Sequence, residues 1–186
     1  IESSLGGYIL KQEDEIFKKL KNGDSAAVDE LIKLYYGDIF RYCCFRLRDR
    51  TMAEDAVQET FLKVFRFLKN YRHQGKFRAF LYQVASNTCV DICRKKQWEM
   101  LPSEVPADDL EIQKVEERED FLRLIQSLPQ ELGELVILRF SQELRLREIA
   151  QITGLPLRTV QSRLRRALKM LEKEMKTRGI KKGELL

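Results

Sequence analysis

LREIAQITGLPLRTVQSRLRRALKMLEKEM, residues 146–175, starts with the spacing of an amphipathic helix, breaks at Gly154 and Pro156, and resumes as a second one. Ile149, Ala150 and Ile152 give the first segment an apolar face, and Ala150 is small where another helix must cross closely. Gly154 suits the left-handed turn that follows a helix end, and Pro156 sits just ahead of the next helix. Leu157, Val160, Leu164, Leu168 and Leu171 then recur at steps of three or four and form the second inner face. The spacing A-x3-G-x5-V is that of a helix-turn-helix, which presents its second helix to a major groove. On the outer face Arg158, Ser162, Arg165 and Lys169 form another stripe, with Thr159, Gln161 and Arg166 beside it. Arg158, Thr159, Gln161, Ser162, Arg165 and Arg166 are therefore the candidate duplex-contacting residues, being donors and short polar groups suited to base edges and phosphates. A basic surface helix is the plainer alternative; the turn spacing and the apolar stripe together argue against it.

Charge extends the same theme. The chain has 186 residues, 34% of them charged, and a formal net charge of +5. Residues 61–98 carry nine lysines and arginines against Asp91 alone, and residues 139–182 carry 13 against four acids. Between them the sign reverses, with nine acids against Lys114 and Arg118 over residues 99–120. Two basic blocks separated by an acidic segment suggest two surfaces for a polyanion, though charge that only solvates helix faces produces similar runs.

Glycine is scarce, and apolar residues recur at spacings of three and four nearly everywhere, so the chain is expected to be all-α. QWEMLPSEVPADDLEI, residues 97–112, combines two prolines with an acidic run and little periodicity, as linkers do. The expected organisation is two small helical domains over residues 11–97 and 113–178, joined by a flexible linker over 98–112, the second domain being the helix-turn-helix.

The first domain carries two further signals. In RDRTMAEDAVQETFLKVFRFL, residues 48–68, Thr51 and Glu54 have capping-box spacing, and Ala53, Val57, Phe61, Val64 and Leu68 mark the buried face. Opposite them Glu54, Asp55, Gln58 and Glu59, with Leu62 one turn on, form a polar patch around one apolar residue, as protein-docking surfaces do; a solvated face has the same pattern. NYRHQGKFRAFLYQVASNTCVDICRKK, residues 70–96, leads from a basic loop into a long helix. Phe77, Phe80, Leu81, Val84, Thr88 and Ile92 are expected inside, leaving Arg78, Tyr82, Gln83, Ser86, Asn87 and Arg94 outside. Cations, amides and aromatics so interleaved suit single-stranded nucleic acid, with Tyr71 and Tyr82 as candidate stacking platforms.

Catalysis and cofactors are not expected. Cys43, Cys44, Cys89 and Cys93 lie inside helical patterns, His73 is the sole histidine, and no glycine-rich phosphate loop is present, so no metal or redox site is assigned. There is no run of about 18 apolar residues and no secretory leader pattern, so a reducing cytoplasm without membrane contact is the expected compartment.

These motifs resemble those of bacterial RNA polymerase sigma factors of the extracytoplasmic-function group. AEDAVQETFLKVF is similar to that family's polymerase-binding helix, and FRAFLYQVASNTCVDICRK to its promoter-opening helix. LPQELGELVILRFSQELRLREIAQITGLPLRTVQSRLRRALKML is similar to its C-terminal DNA-binding domain. The resemblance spans roughly residues 14–175, with Phe80 where tryptophan is common, Arg158 where glycine is common, and Gly133 within a helix. It implies that Asp55, Gln58, Glu59 and Leu62 meet the clamp coiled coil of the polymerase's largest subunit, with the flap of the second-largest subunit as a further contact. It also implies minus-ten capture by Tyr71, Arg72, Lys76, Arg78, Tyr82, Ser86 and Asn87, a linker running toward the RNA exit channel, minus-thirty-five reading by the helix-turn-helix, and an anti-sigma factor as partner. A helix-turn-helix regulator with an N-terminal sensor would instead need a homodimer and an apolar pocket. A pure interaction module would have no use for the stripe of Arg158, Ser162 and Arg165.

Overall fold

The computed structural model describes residues 3–68, 70–99 and 124–178, and these are helical with no strand among them. The chain divides into two compact units, Ile1–Asp108 and Asp109–Leu186. Beyond Glu99 the expected linker lies outside the described residues.

In the first unit, α1 (Ser3–Lys21), α2 (Ala26–Leu47), α3 (Arg50–Leu68) and α4 (Phe77–Glu99) surround one core. α2 packs against the other three, and α3 also packs against α4. On α2, Ala27, Leu31, Tyr35, Ile39 and Tyr42 are buried at steps of four and three, and contact with three neighbours widens the buried arc to Cys43 and Cys44. α3 buries Ala53, Ala56, Val57, Thr60, Phe61 and Val64. The small Ala53 and Ala56 allow close helix approach, while the Thr60 hydroxyl donates to the Ala56 carbonyl at 2.6 Å and so costs little to bury. Each fully buried Leu, Ile or Val stabilises the unit by about 1.5 to 3 kcal/mol.

The turn between α2 and α3 departs from the expected cap. Arg48 takes a left-handed conformation, its N–H donating to the Cys44 carbonyl at 2.9 Å, and α3 starts two residues later. Asp49 is the cap: its Oδ1 accepts from the Met52 N–H at 2.9 Å. Thr51 falls inside the first turn, and Glu54 pairs with Arg50 at 3.1 Å. The abrupt end of α2 leaves Asp49 as the side chain beside the free N–H groups, and a carboxylate there also favours the helix dipole.

α4 is rotated from the expected orientation. Phe77, Leu81 and Thr88 are buried as anticipated, but Phe80, Val84 and Ile92 are half-buried, and Tyr82, Ala85, Ser86 and Cys89 turn inward. α4 contacts both α2 and α3, so its hidden arc is broad and follows the small residues that let backbones approach.

The second unit contains residues 124–126 as a helical end, α5 (Gln130–Val136) continuing into a π turn (Ile137–Ser141), α6 (Leu146–Thr153) and α7 (Leu157–Arg178). Leu124, Ile125, Leu132, Leu135, Leu138, Ile149, Val160 and Ala167 form its core. The π turn closes with the Gln142 N–H on the Ile137 carbonyl at 3.1 Å, and Glu143 in a left-handed conformation ends it. α6 is capped by Glu148, whose Oε2 accepts from the Arg145 N–H at 2.7 Å. It stops at Gly154, which has φ +67° as expected, and α7 begins directly after Pro156. Leu168, expected inside, is 41% exposed, and Ala167 takes its place. At about 100° per residue, Leu168 lies on the opposite side of Leu164 from Val160, Ala167 and Leu171.

A Cβ at Gly154 would meet nothing within 4 Å, so Gly154→Ala isolates the backbone cost of the turn. The expected loss is about 1 to 2 kcal/mol, seen as a lower urea midpoint for the second unit, with Gly154→Asn losing less. An unchanged midpoint for Gly154→Ala would mean that the left-handed turn does not constrain the unit.

Candidate nucleic-acid and partner interfaces

The core positions of α7 determine its outer face. Arg158, Gln161, Ser162, Arg165, Arg166 and Lys169 are exposed, and Thr159 is half-buried. The Ser162 hydroxyl donates to the Thr159 carbonyl at 3.0 Å, which leaves its oxygen as an acceptor toward solvent. Arg163 leaves this face to pair with Glu131 of α5 at 2.7 Å, bracing the two helices. Arginines and amides thus stand near the positive end of a helix dipole, where phosphates and base edges are best met.

On α3, Asp55, Gln58, Glu59 and Leu62 lie at i, i+3, i+4 and i+7, opposite the buried stripe. Asp55 and Gln58 are exposed, Glu59 is half-buried, and Leu62 is 53% exposed. Lys63 bounds this patch, with its Nζ 3.8 Å from Glu59, 3.5 Å from Asp91 and 3.3 Å from the Thr88 hydroxyl. A large exposed apolar side chain ringed by carboxylate and amide groups suits a protein partner.

The third surface is the loop before α4, where Gly75 takes φ +66° and Arg72 and Lys76 are exposed. Asn87, on α4, is exposed as well. Tyr71 is half-buried, stacked on Phe80 at 5.5 Å and edge-on to Phe77 at 5.5 Å. Burial, with the nearby Glu13 carboxylate, raises its phenol to about 12. Two expected contacts are corrected. Tyr82 is wholly buried, edge-on to Tyr42 at 5.2 Å, and its hydroxyl is pushed well above the ordinary phenol range by desolvation, so it offers no face to a base. Ser86 is buried in the seam with Ala85 and Cys89. Arg78 is half-buried, its charge felt at Glu13, Tyr35 and Tyr82.

Periodicity gave no sign of what holds this loop, because the contacts come from α1. The His73 ring stacks on Phe17 with centroids 4.2 Å apart and planes 7° from parallel, and its Nε2 lies 2.8 Å from Asp14 Oδ1. Its Nδ1 lies 3.6 Å from Glu13 Oε1. Glu13 is buried and accepts from the Tyr35 hydroxyl; desolvation raises its carboxyl above the ordinary 4.5 despite that bond and the nearby His73.

Among the described residues no group of three or more His, Cys, Asp and Glu could hold a metal ion, and Cys43, Cys44 and Cys89 are buried and in no disulfide. No described helix is long and apolar enough to cross a membrane.

Two family models match the chain: Sigma-70 region 2 over residues 31–99 and Sigma-70, region 4 over residues 118–171. The chain is 31% identical over 166 residues to the RNA polymerase sigma factor YlaC of Bacillus subtilis, covering 84% of this chain and 95% of that protein. It belongs to the RNA polymerase sigma factors. Similarity to the ECF RNA polymerase sigma factor SigW of Bacillus subtilis, 26% over 176 residues, covering 86% of this chain and 94% of that one, puts this sigma factor in the extracytoplasmic-function group. The fold recurs in the sigma factor RpoE of Bartonella quintana, solved in complex with the anti-sigma factor NepR. There the TM-score is 0.62 at 20% identity, covering 80% of this chain and 96% of that one. CnrH, solved with the cytosolic domain of CnrY, gives a TM-score of 0.60 at 18% identity, covering 89% and 98%. The sigma factor's region 2 match contains the α3 patch and the loop before α4, and its region 4 match contains most of α7.

The buried Glu13 carboxyl has a testable consequence. Because its folded pKa lies above 4.5, its contribution to stability is greatest below that pH and declines as pH rises and the buried group must ionise. Glu13→Gln keeps an oxygen for the Tyr35 hydroxyl and should remove this decline. The variant should be at least as stable as wild type at pH 7 by thermal unfolding, with a flatter profile from pH 5 upward; a marked loss at pH 7 would show that the carboxylate charge is stabilising.

Proposed function

We propose that this sigma factor binds core RNA polymerase through the α3 patch and directs it to promoters with two DNA-reading surfaces of different kinds. The observation that carries the reading is the division of exposed groups between two units: an arginine-rich recognition helix on one, and a basic loop with Asn87 on the other. Arg158, Gln161, Ser162, Arg165 and Arg166 read the minus-thirty-five element as duplex, with Thr159 beside them. Arg72, Lys76 and Asn87, together with the half-buried Tyr71, hold bases of the minus-ten element once the strands part. Residues 11–97 act as the polymerase-binding and opening domain and 113–178 as the duplex-reading domain, with 98–112 between them toward the RNA exit channel.

Asp55, Gln58, Glu59 and Leu62 meet the clamp coiled coil of the largest subunit, and the duplex-reading domain meets the flap of the second-largest. The sigma factor supplies no catalytic group, since nucleotide addition belongs to the polymerase, and it works in the cytoplasm. The complexes of RpoE with NepR and of CnrH with CnrY support an anti-sigma factor as a further partner here.

The direct test adds the purified protein to core polymerase on a library of promoter templates. Initiation confined to particular sequences is expected, and unchanged synthesis with and without the protein would contradict the reading. Asp55→Lys with Glu59→Lys should weaken core binding while leaving the helical fold intact. Arg165→Ala should weaken minus-thirty-five duplex affinity by about 1 to 3 kcal/mol, or roughly 5- to 150-fold. Asn87→Ala should spare that affinity and slow strand opening; the reverse pattern would overturn the assignment.

A further inference from the structure

We propose that α1, which precedes the region 2 match, belongs to the minus-ten apparatus: Asp14 and Phe17 hold His73 and so fix the loop carrying Arg72 and Lys76. Asp14 and His73 are then positioning residues for promoter opening. This inference rests on the reading of that loop as the base-capturing surface.

Gly75, at φ +66°, has no side chain to hold the loop, and the side chains of Arg72, Gln74 and Lys76 are exposed. Tyr71 and His73 face inward; both rest on α1, and Tyr71 also rests on Phe77 and Phe80 of α4. Phe17 lies parallel under the His73 ring at 4.2 Å and against Tyr71 at 5.4 Å, while Asp14 Oδ1 takes the His73 Nε2 hydrogen at 2.8 Å. Phe17 also meets Phe77, the first residue of α4, at 5.1 Å, so one side chain of α1 touches the loop at its start, its middle and its end. Behind it the buried Glu13, bonded to Tyr35 of α2, ties this part of α1 to the core. Arg72 and Lys76 flank His73 in the chain, so holding the ring restricts where their cations stand. A flexible loop would have to be ordered when it captures a base, and a loop already held avoids that entropic cost.

The test uses holoenzyme reconstituted from core polymerase and the full-length protein. Opening is followed by permanganate reactivity, and its dependence on holoenzyme concentration separates initial binding from the opening step. Asp14 is 59% exposed, so Asp14→Ala leaves the core untouched. Asp14→Ala and His73→Ala should each slow the opening step by roughly 5- to 10-fold, the worth of one hydrogen bond, with unchanged initial binding and minus-thirty-five affinity. Asp14→Asn, which keeps the acceptor oxygen, should restore most of the rate, and the double alanine variant should be no slower than the slower single. Wild-type opening rates in both single variants, or losses that multiply in the double variant, would overturn the proposal. Arg72→Ala with Lys76→Ala serves as the control: slowed opening there beside normal opening in Asp14→Ala rejects the role of α1 alone. Normal opening in the control rejects the reading of the loop itself, and the role of α1 with it.

Discussion

Val160, Leu164, Ala167 and Leu171 are buried with Ile149 and Ile152 because the chain reverses within Gly154, Leu155 and Pro156, and Gly154 supplies the left-handed conformation this requires. Once that apolar contact is made, α7 has no rotational freedom left. Arg158, Ser162, Arg165 and Lys169 must face away from α6, so packing on the opposite face leaves a row of polar and charged side chains in solvent. The Arg163–Glu131 pair adds a brace at 2.7 Å, but an exposed ion pair contributes little beside the buried leucines.

The same constraint acts on α3. Burying Ala53, Ala56, Val57, Thr60, Phe61 and Val64 against α2 and α4 forces Asp55, Gln58 and Leu62 outward, so a large apolar side chain stays in water although the core is adjacent. Exposure of Leu62 is disfavoured in the free protein and relieved when a partner covers it, as a docking surface requires. In the proposed reading, function rests on the unused faces of helices whose used faces are settled by packing.

That logic explains what could be read from sequence. The helix-turn-helix and the outward stripe of α3 were legible because each depends on local periodicity and on residues such as Gly154 with one conformational purpose. The face of α4 was misread: a helix wedged between two others hides a broad arc, and the small buried Ala85, Ser86 and Cys89 carry no strong hydrophobic signal. Tyr82 consequently looked like an exposed stacking platform and is instead a core residue against Tyr42. The contact of Asp14 with His73 joins residues 59 positions apart, and nothing in either local sequence announces it.

In the proposed division of labour, one unit reads paired DNA while the other holds bases only after they separate. A photo-crosslinking amino acid placed singly at Asn87 and at Arg165, in holoenzyme bound to promoter DNA, tests it most directly. Position 165 is expected to crosslink to the minus-thirty-five duplex in closed and open complexes alike, whereas position 87 is expected to crosslink to one minus-ten strand only as opening proceeds. Equal crosslinking from position 87 before and after opening would contradict it.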